Sequence, residues 1–344
     1  VRFQALSVGI EVPNCCFSGT VHSVFRQACN VRIEAHRLLT LLPSEKGNVP
    51  HGIRLNTPSW PAFLDVLQVG QLVACRGGIL RIDEPVFSVD LRTARPWDVD
   101  LKELHVDLHQ PAQAQSWAAA WSELNASHRR SGLSEITQLF SLTDGQSDTW
   151  AASEVLLEWS SHTIPALLRA IRDFQLDDAM TSIGSVMGLG PGLTPSGDDF
   201  LVGYLAGLWC TAANNPPRMT FLTALGSELS QYARNTNEIS CTYLRSAAKG
   251  HVSEPIATLA QQLARSNDMS DVRAATQAAL QIGHTSGTAG VLGLLLGCLA
   301  WQDLPPHLVL SDLLHSSVLC DVTAQPSPPT RKMEVPMRDA PSSS

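Results

Sequence analysis

The sequence predicts an α+β protein: a β-rich N-terminal domain over residues 1–105, a small barrel or sandwich, then a mainly α-helical domain over 106–322. Three observations carry this. Short runs of alternating polar and apolar residues fill the first hundred positions, the pattern of half-buried strands. From about residue 110 the apolar spacing changes to threes and fours, as on one face of a helix. A glycine-rich stretch near the middle runs straight into a segment that is apolar on nearly every face, which reads as a buried helix. A chain of 344 residues is long enough for two such domains and a substantial core.

In the first part, Gly19–Phe25, Asn30–Ile33, Arg37–Leu42 and Ile53–Leu55 read as strands. Gln71–Cys75 and Ile79–Ile82 flank Arg76-Gly77-Gly78, and the two glycines can supply the positive φ of a tight hairpin. Val86–Val89 is a further strand, and Pro61–Leu67 a short helix among them.

In the second part, Trp117, Trp121 and Leu124 share a helix face. Glu154–Phe174 carries a longer helical pattern, and Asp177–Ser182 leads into the glycine loop. Asn214-Asn215-Pro216-Pro217 breaks the chain. Residues 219–233, 239–249, 253–265, 270–282 and 307–316 each read as helix. Gly250 suits a helix end, and Ser253-Glu254-Pro255 a helix start. The tail over 323–344, rich in Pro and Ser from about Ala324, is expected to be disordered.

The stretch with the most chemistry is Gly188-Leu-Gly-Pro-Gly-Leu-Thr-Pro-Ser-Gly-Asp-Asp199. Gly188, Gly190 and Gly192 with Pro191 and Pro195 exclude both helix and strand. Ser196 is a good N-cap, and Asp199 three residues on completes a capping-box pattern. Helix starts offer unpaired N–H groups and a positive dipole end to an anion. Neither the Walker A nor the dinucleotide spacing is present. The alternative is a strained turn that merely begins a core helix.

Gly283-His-Thr-Ser-Gly287 and the helix after it echo this stretch at a constant offset of 90, pairing Ser196-Gly197 with Ser286-Gly287, Gly203 with Gly293 and Gly207 with Gly297. Glycines four apart share a helix face and let two helices approach closely. If the helices run in the same direction, the two Ser-Gly starts converge on one pocket; if not, they lie at opposite ends. Chance similarity between two glycine-rich helices is the other reading. A third polar cluster, Arg234–Ser240, supplies Arg234 as a carboxylate or phosphate clamp or as an ordinary surface residue, with Thr236 or Asn237 as a cap.

These residues define a candidate site. The Gly190–Gly197 loop, with Gly190, Gly192 and Gly197, would cradle an anion, joined by Gly287. Thr194, Ser196, Thr285, Ser286 and Thr236 would donate hydroxyl hydrogen bonds, with Arg234 beside them. His284 is the candidate general acid/base. Asp198 and Asp199 would hold Mg²⁺, accept a substrate N–H, or only cap the helix.

Composition narrows the function classes. A net charge of −8 and a pI near 5.7 argue against a broad nucleic-acid face. The longest apolar run, Ala289–Trp301, is too short and too glycine-rich for a membrane span. The eight cysteines show neither Cys-x-x-Cys nor zinc spacing, and Cys210 and Cys298 lie in apolar helical contexts. Together with the lack of a leader-like pattern, this predicts reduced thiols in a cytoplasmic protein.

The motif at 188–201 resembles the signature of a bacterial family that includes a subunit of oxamate carbamoyltransferase, from anaerobic allantoin degradation. Gly283–Gly287 is similar to that family's second motif, and the Asn237–Gly250 helix to a third. The resemblance covers roughly residues 110–300 and extends to the β-rich start only loosely. It implies a carbamoyl transfer between oxalurate plus phosphate and oxamate plus carbamoyl phosphate. It also implies small anionic substrates of that kind and partner subunits in a multi-subunit enzyme. A non-catalytic regulatory subunit with a small-anion pocket, or a phosphate- or nucleotide-dependent ligase component, are the competing classes.

Overall fold

A computed structural model describes residues 2–34, 37–57, 59–83, 87–130, 162–190, 192–212, 214–265, 268–283 and 285–302. The helix expected over 307–316 and the tail expected to be disordered lie outside these residues, as do His284 and Cys320.

The N-terminal part is a closed barrel. Its strands are β1 (Arg2–Gly9), β2 (Phe17–Phe25), β3 (Ala28–Glu34), β4 (Arg37–Pro43), β5 (Gly52–Asn56), β6 (Leu72–Arg76), β7 (Ile79–Ile82), β8 (Phe87–Asp90) and β9 (Arg95–Trp97). They run in the order β5-β4-β3-β2-β6-β7-β8-β1, and β1 pairs back with β5 to close the ring. β9 adds in parallel to the end of β1, beyond the part that pairs with β8. The β6–β7 hairpin turns at Gly77 and Gly78, with φ of 59° and 72°. β1 and β9 were not among the expected strands. β1 alternates buried and exposed residues as a barrel strand should, but its first residues look unremarkable without the partners on either side. The short helix α1 (Trp60–Leu64) plugs the barrel, and its Phe63 packs between Phe3 and Phe87 with ring centroids 5.3 and 5.5 Å away.

β4 departs from alternation: Leu38–Pro43 is buried on both faces. Its outer face lies against the helical part, so the continuous apolar run reflects cover on two sides. β4 and β5 are parallel neighbours, with Thr40 level with Gly52 and Pro43 with Leu55. Residues 44–51 must therefore carry the chain back along the strand, and they project as a loop toward the helices.

The helices are α2 (Pro111–Arg130), α3 (Ile164–Arg172), α4 (Leu176–Val186), α5 (Ser196–Ala212), α6 (Pro216–Tyr232), α7 (Glu238–Ala247), α8 (Glu254–Arg265), α9 (Met269–Leu280) and α10 (Ser286–Leu299). At the centre α5 and α10 lie side by side in the same direction. A Cβ at Gly203 would fall 1.9 Å from the Gly290 carbonyl oxygen, one at Gly293 2.1 Å from that of Phe200, and one at Gly297 2.3 Å from that of Tyr204. Each contact recurs four residues on in both helices, Gly203 with Gly290 and then Gly207 with Leu294, Phe200 with Gly293 and then Tyr204 with Gly297, which fixes the parallel direction. The other helices wrap this pair, so both are buried along nearly their whole length. Cys210 and Cys298 are buried in it with free thiols. No helix of the described residues is long and apolar enough to cross a membrane.

Three carboxylates join barrel and helices. Glu11 accepts a hydrogen bond from Ser246 at 2.7 Å and pairs with Lys249 at 3.1 Å. Burial alone would push the Glu11 carboxyl up; His251, Lys249 and Ser246 outweigh it and hold the group at about 2. Glu238 binds Arg32 at 2.6 Å and His22 at 3.1 Å. Glu254 accepts from the Asn48 backbone N–H at 2.6 Å and side-chain amide at 2.8 Å.

Gly293→Ala should be poorly tolerated, because the new methyl can fit only if α5 and α10 separate. The expected loss is more than about 2 kcal/mol in chemical denaturation. An unchanged denaturation midpoint would contradict the close-packed pair.

Candidate functional site

The loop between α4 and α5 takes the shape its glycines permit. Gly188, Gly190 and Gly192 have φ of 77°, 105° and 105°, a region side chains rarely adopt. The loop folds back so that α5 begins against the end of α4: a Cβ at Gly197 would meet the Val186 carbonyl oxygen at 2.0 Å. The second motif is built alike, with a Cβ at Gly287 meeting the Ala279 carbonyl oxygen at 2.4 Å. Each glycine amide donates backwards, Gly197 to Leu189 O at 2.8 Å and Gly287 to Ile282 O at 2.9 Å.

The two helix starts converge, as the parallel arrangement requires. Thr194 and Ser286 hydroxyl oxygens are 3.1 Å apart, and Ser196 donates to the Thr285 hydroxyl at 3.3 Å. Thr194 also donates to Asp199 Oδ2 at 3.0 Å.

Several expected roles change. Ser196 is not the N-cap: it is the first residue of α5, and the Pro195 carbonyl accepts from Asp198 and Asp199 N–H at 2.9 and 3.1 Å. Asp199 does not complete a capping box, since it binds Thr194 and Ser286 instead. The Gly197 and Gly287 amides are consumed by backbone carbonyls, so they are not the anion donors envisaged for them. Asp198 is buried with both oxygens engaged, accepting from Gly188 N–H at 2.8 Å and Thr236 hydroxyl at 2.6 Å. It staples the loop to the start of the third motif, which leaves it poorly placed as a catalytic group or metal ligand and spends Thr236 structurally. Asn237, not Thr236, caps α7. Arg234 is exposed and lies outside the cavity described next. Gly192 is exposed, and Gly190 packs against Ser196. Among the described residues no group of three or more His, Cys, Asp and Glu could hold a metal ion.

The convergence point opens into a cavity of about 330 Å³ between barrel and helices. Thr194, Asp199 and Ser286 line one side, Lys46–Val49 of the barrel loop another, and Tyr243 of α7 a third. Leu42, Val202 and Ile256 make it largely apolar between these polar groups. Burial pushes the Asp199 carboxyl up to about 7; the Ser286 and Thr194 hydroxyls pull it down and the neighbouring Asp198 adds to the rise. Asp199 can thus release and take up a proton near neutrality. Tyr243 packs edge-on against the buried His51, ring centroids 4.7 Å apart. Burial pushes its phenol up to about 12, so it stays a neutral hydrogen-bond donor. Lys46, Asn48 and Tyr243 carry no sequence signal of their own, because each is an isolated polar residue in an ordinary context.

Asp199→Asn isolates this half-buried acid. The folded state holds this proton more tightly than the unfolded chain, whose Asp titrates near 3.9. The acid's stabilising share is therefore complete below about pH 4 and is lost as pH rises to about 7. The variant lacks that loss, so its melting temperature relative to the parent should rise between pH 5 and pH 8, by a stability on the order of 1–4 kcal/mol. A pH-independent difference would show that Asp199 titrates normally.

A family model described as oxamate carbamoyltransferase subunit AllH matches residues 186–298, a span from the end of α4 to nearly the end of α10. A second, described as the AllH family N-terminal domain, matches residues 4–96, nearly the whole barrel. No solved structure matches the chain.

Proposed function

We propose, because the chain belongs to the oxamate carbamoyltransferase subunit AllH family, that its interdomain cavity is where the carbamoyl group is transferred. The observation that carries this reading is Asp199: a carboxyl titrating near neutrality, flanked by one hydroxyl from each motif, inside a cavity sized for small substrates.

The chemistry needs a group that can move one proton. In the direction of oxalurate synthesis, the oxamate nitrogen attacks the carbamoyl carbon of carbamoyl phosphate. The N–C bond forms, the C–O bond to phosphate breaks, and one nitrogen proton must leave. An ionised Asp199 takes that proton and returns it to the departing phosphate, which leaves as hydrogen phosphate. In the reverse direction the ionised carboxylate takes the proton of hydrogen phosphate as its oxygen attacks the carbamoyl carbon, and gives it to the departing oxamate nitrogen as the C–N bond breaks. Thr194 and Ser286 orient the carboxyl and present oxygens and hydrogens to the substrate. The two helix starts lie side by side and bring two positive dipole ends to the same place, which favours a negatively charged occupant. With the glycine amides already bonded, hydroxyls and side chains of the cavity would hold that anion.

The test is Asp199→Asn in the enzyme assembled with its partner subunits. General acid–base catalysis is worth about 10²–10⁴ in rate, so kcat should fall by at least about 10² with KM changed little. The limb of the pH–rate profile near pH 7 should also disappear. A variant with full activity would assign the chemistry to another subunit and leave this cavity a regulatory anion site.

A further inference from the structure

We propose that Lys46, on the loop between β4 and β5, recognises the carboxylate of the substrate in the interdomain cavity; this rests on the reading of that cavity given above. Among the described residues lining the cavity, Lys46 is the only cation and Asp199 the only acid. Its ammonium makes no ion pair or hydrogen bond among the described residues, unlike Lys102 and Lys249, which pair with Asp100 and Glu11. A lysine half-buried beside an apolar wall, with no partner among the described residues, has a charge left for a ligand.

The loop is held where that charge is useful. Parallel pairing of β4 and β5 obliges residues 44–51 to double back, and the return brings Lys46–Val49 over the helix starts. Asn48 is fixed on three sides: its N–H and side-chain amide donate to Glu254, its side-chain oxygen accepts from Ser7, and its carbonyl accepts from Glu254 N–H at 2.8 Å. Gly47 sits against Pro255, 3.3 Å from where its Cβ would be. Lys46 N–H closes the turn onto Pro43 O at 3.2 Å. Asn48 and Glu254 are therefore positioning residues, and Lys46 is the group they aim. Glu254, which does not line the cavity, accepts both Asn48 hydrogen bonds on its Oε2.

The charges also fit one substrate orientation. An amide acid such as oxamate carries one negative charge at one end and an N–H donor at the other. Putting the carboxylate on Lys46 keeps it away from the acid that must ionise, and turns the amide nitrogen toward Asp199, Thr194 and Ser286. The opposite orientation would set two carboxylates together in a largely apolar cavity, which is costly. The barrel would then supply the recognition charge and the helical part the proton carrier.

The experiment is calorimetric binding to the full chain, with its partner subunits where needed, using three probes. These are oxamate, oxamide (the same skeleton with the carboxylate replaced by a neutral amide) and inorganic phosphate. Lys46→Met should weaken oxamate at least tenfold and leave oxamide unchanged, while Lys46→Arg restores most of the affinity. Melting temperatures of both variants check folding. An unchanged oxamate affinity in Lys46→Met, an equal loss of oxamate and oxamide, or a loss confined to phosphate would each overturn the proposal. If Asp199→Asn lowers kcat as expected above and Lys46→Met leaves oxamate affinity unchanged, this inference fails while the reading of the cavity stands. If oxamate does not bind the parent protein at all, both fail.

Discussion

The approach of α5 to α10 is the constraint on which the rest of the molecule depends. Where a Cβ would fall about 2 Å from the opposite backbone, only a hydrogen fits, so glycines on both helices let the two main chains touch. That contact fixes direction and register together. Parallel direction brings the two Ser-Gly starts to one end, and register puts Thr194 beside Ser286 and Ser196 beside Thr285. Had the helices packed through larger side chains, the same hydroxyls would have stood too far apart to share a carboxylate. The Asp199 environment is thus a consequence of helix packing that begins one turn further on and continues for about two more.

Two adjacent aspartates take different partners by direction alone. On a helix, consecutive side chains point about 100° apart. Asp198 faces the loop and the third motif, where an amide and a hydroxyl occupy both of its oxygens. Asp199 faces the cavity, where two hydroxyls and an apolar wall leave its proton exchangeable near neutrality. The pairing looks like a metal site in sequence because both carboxylates seem available; in the fold one of them is already spent.

The seam between barrel and helices rests on Glu11, Glu238 and Glu254, each bound to groups of the opposite part. Buried or half-buried carboxylates of this kind are sensitive to geometry, because breaking one partner leaves a charge without compensation. They therefore set the loop at 44–51 against the helix starts more narrowly than apolar contact would. The doubly buried β4 follows from the same seam.

What the sequence by itself determined was local or periodic. Strand alternation, the Gly77-Gly78 turn, the helical spacing after residue 110 and the glycine ladders on two helices are written in neighbouring residues, because φ/ψ preference and face periodicity act over a few positions. The offset of 90 between the motifs was legible for the same reason, and it brought Thr194, Ser196, Thr285 and Ser286 to attention together. Only the tertiary structure decided which of those groups meet and which are consumed. The engagement of Asp198 by Thr236 and the arrival of Lys46, Asn48 and Tyr243 at one cavity depend on contacts between segments distant along the chain. Burial and hydrogen-bond partnership are properties of three-dimensional neighbours, and a lone lysine on a barrel loop carries no mark of the cavity it will face.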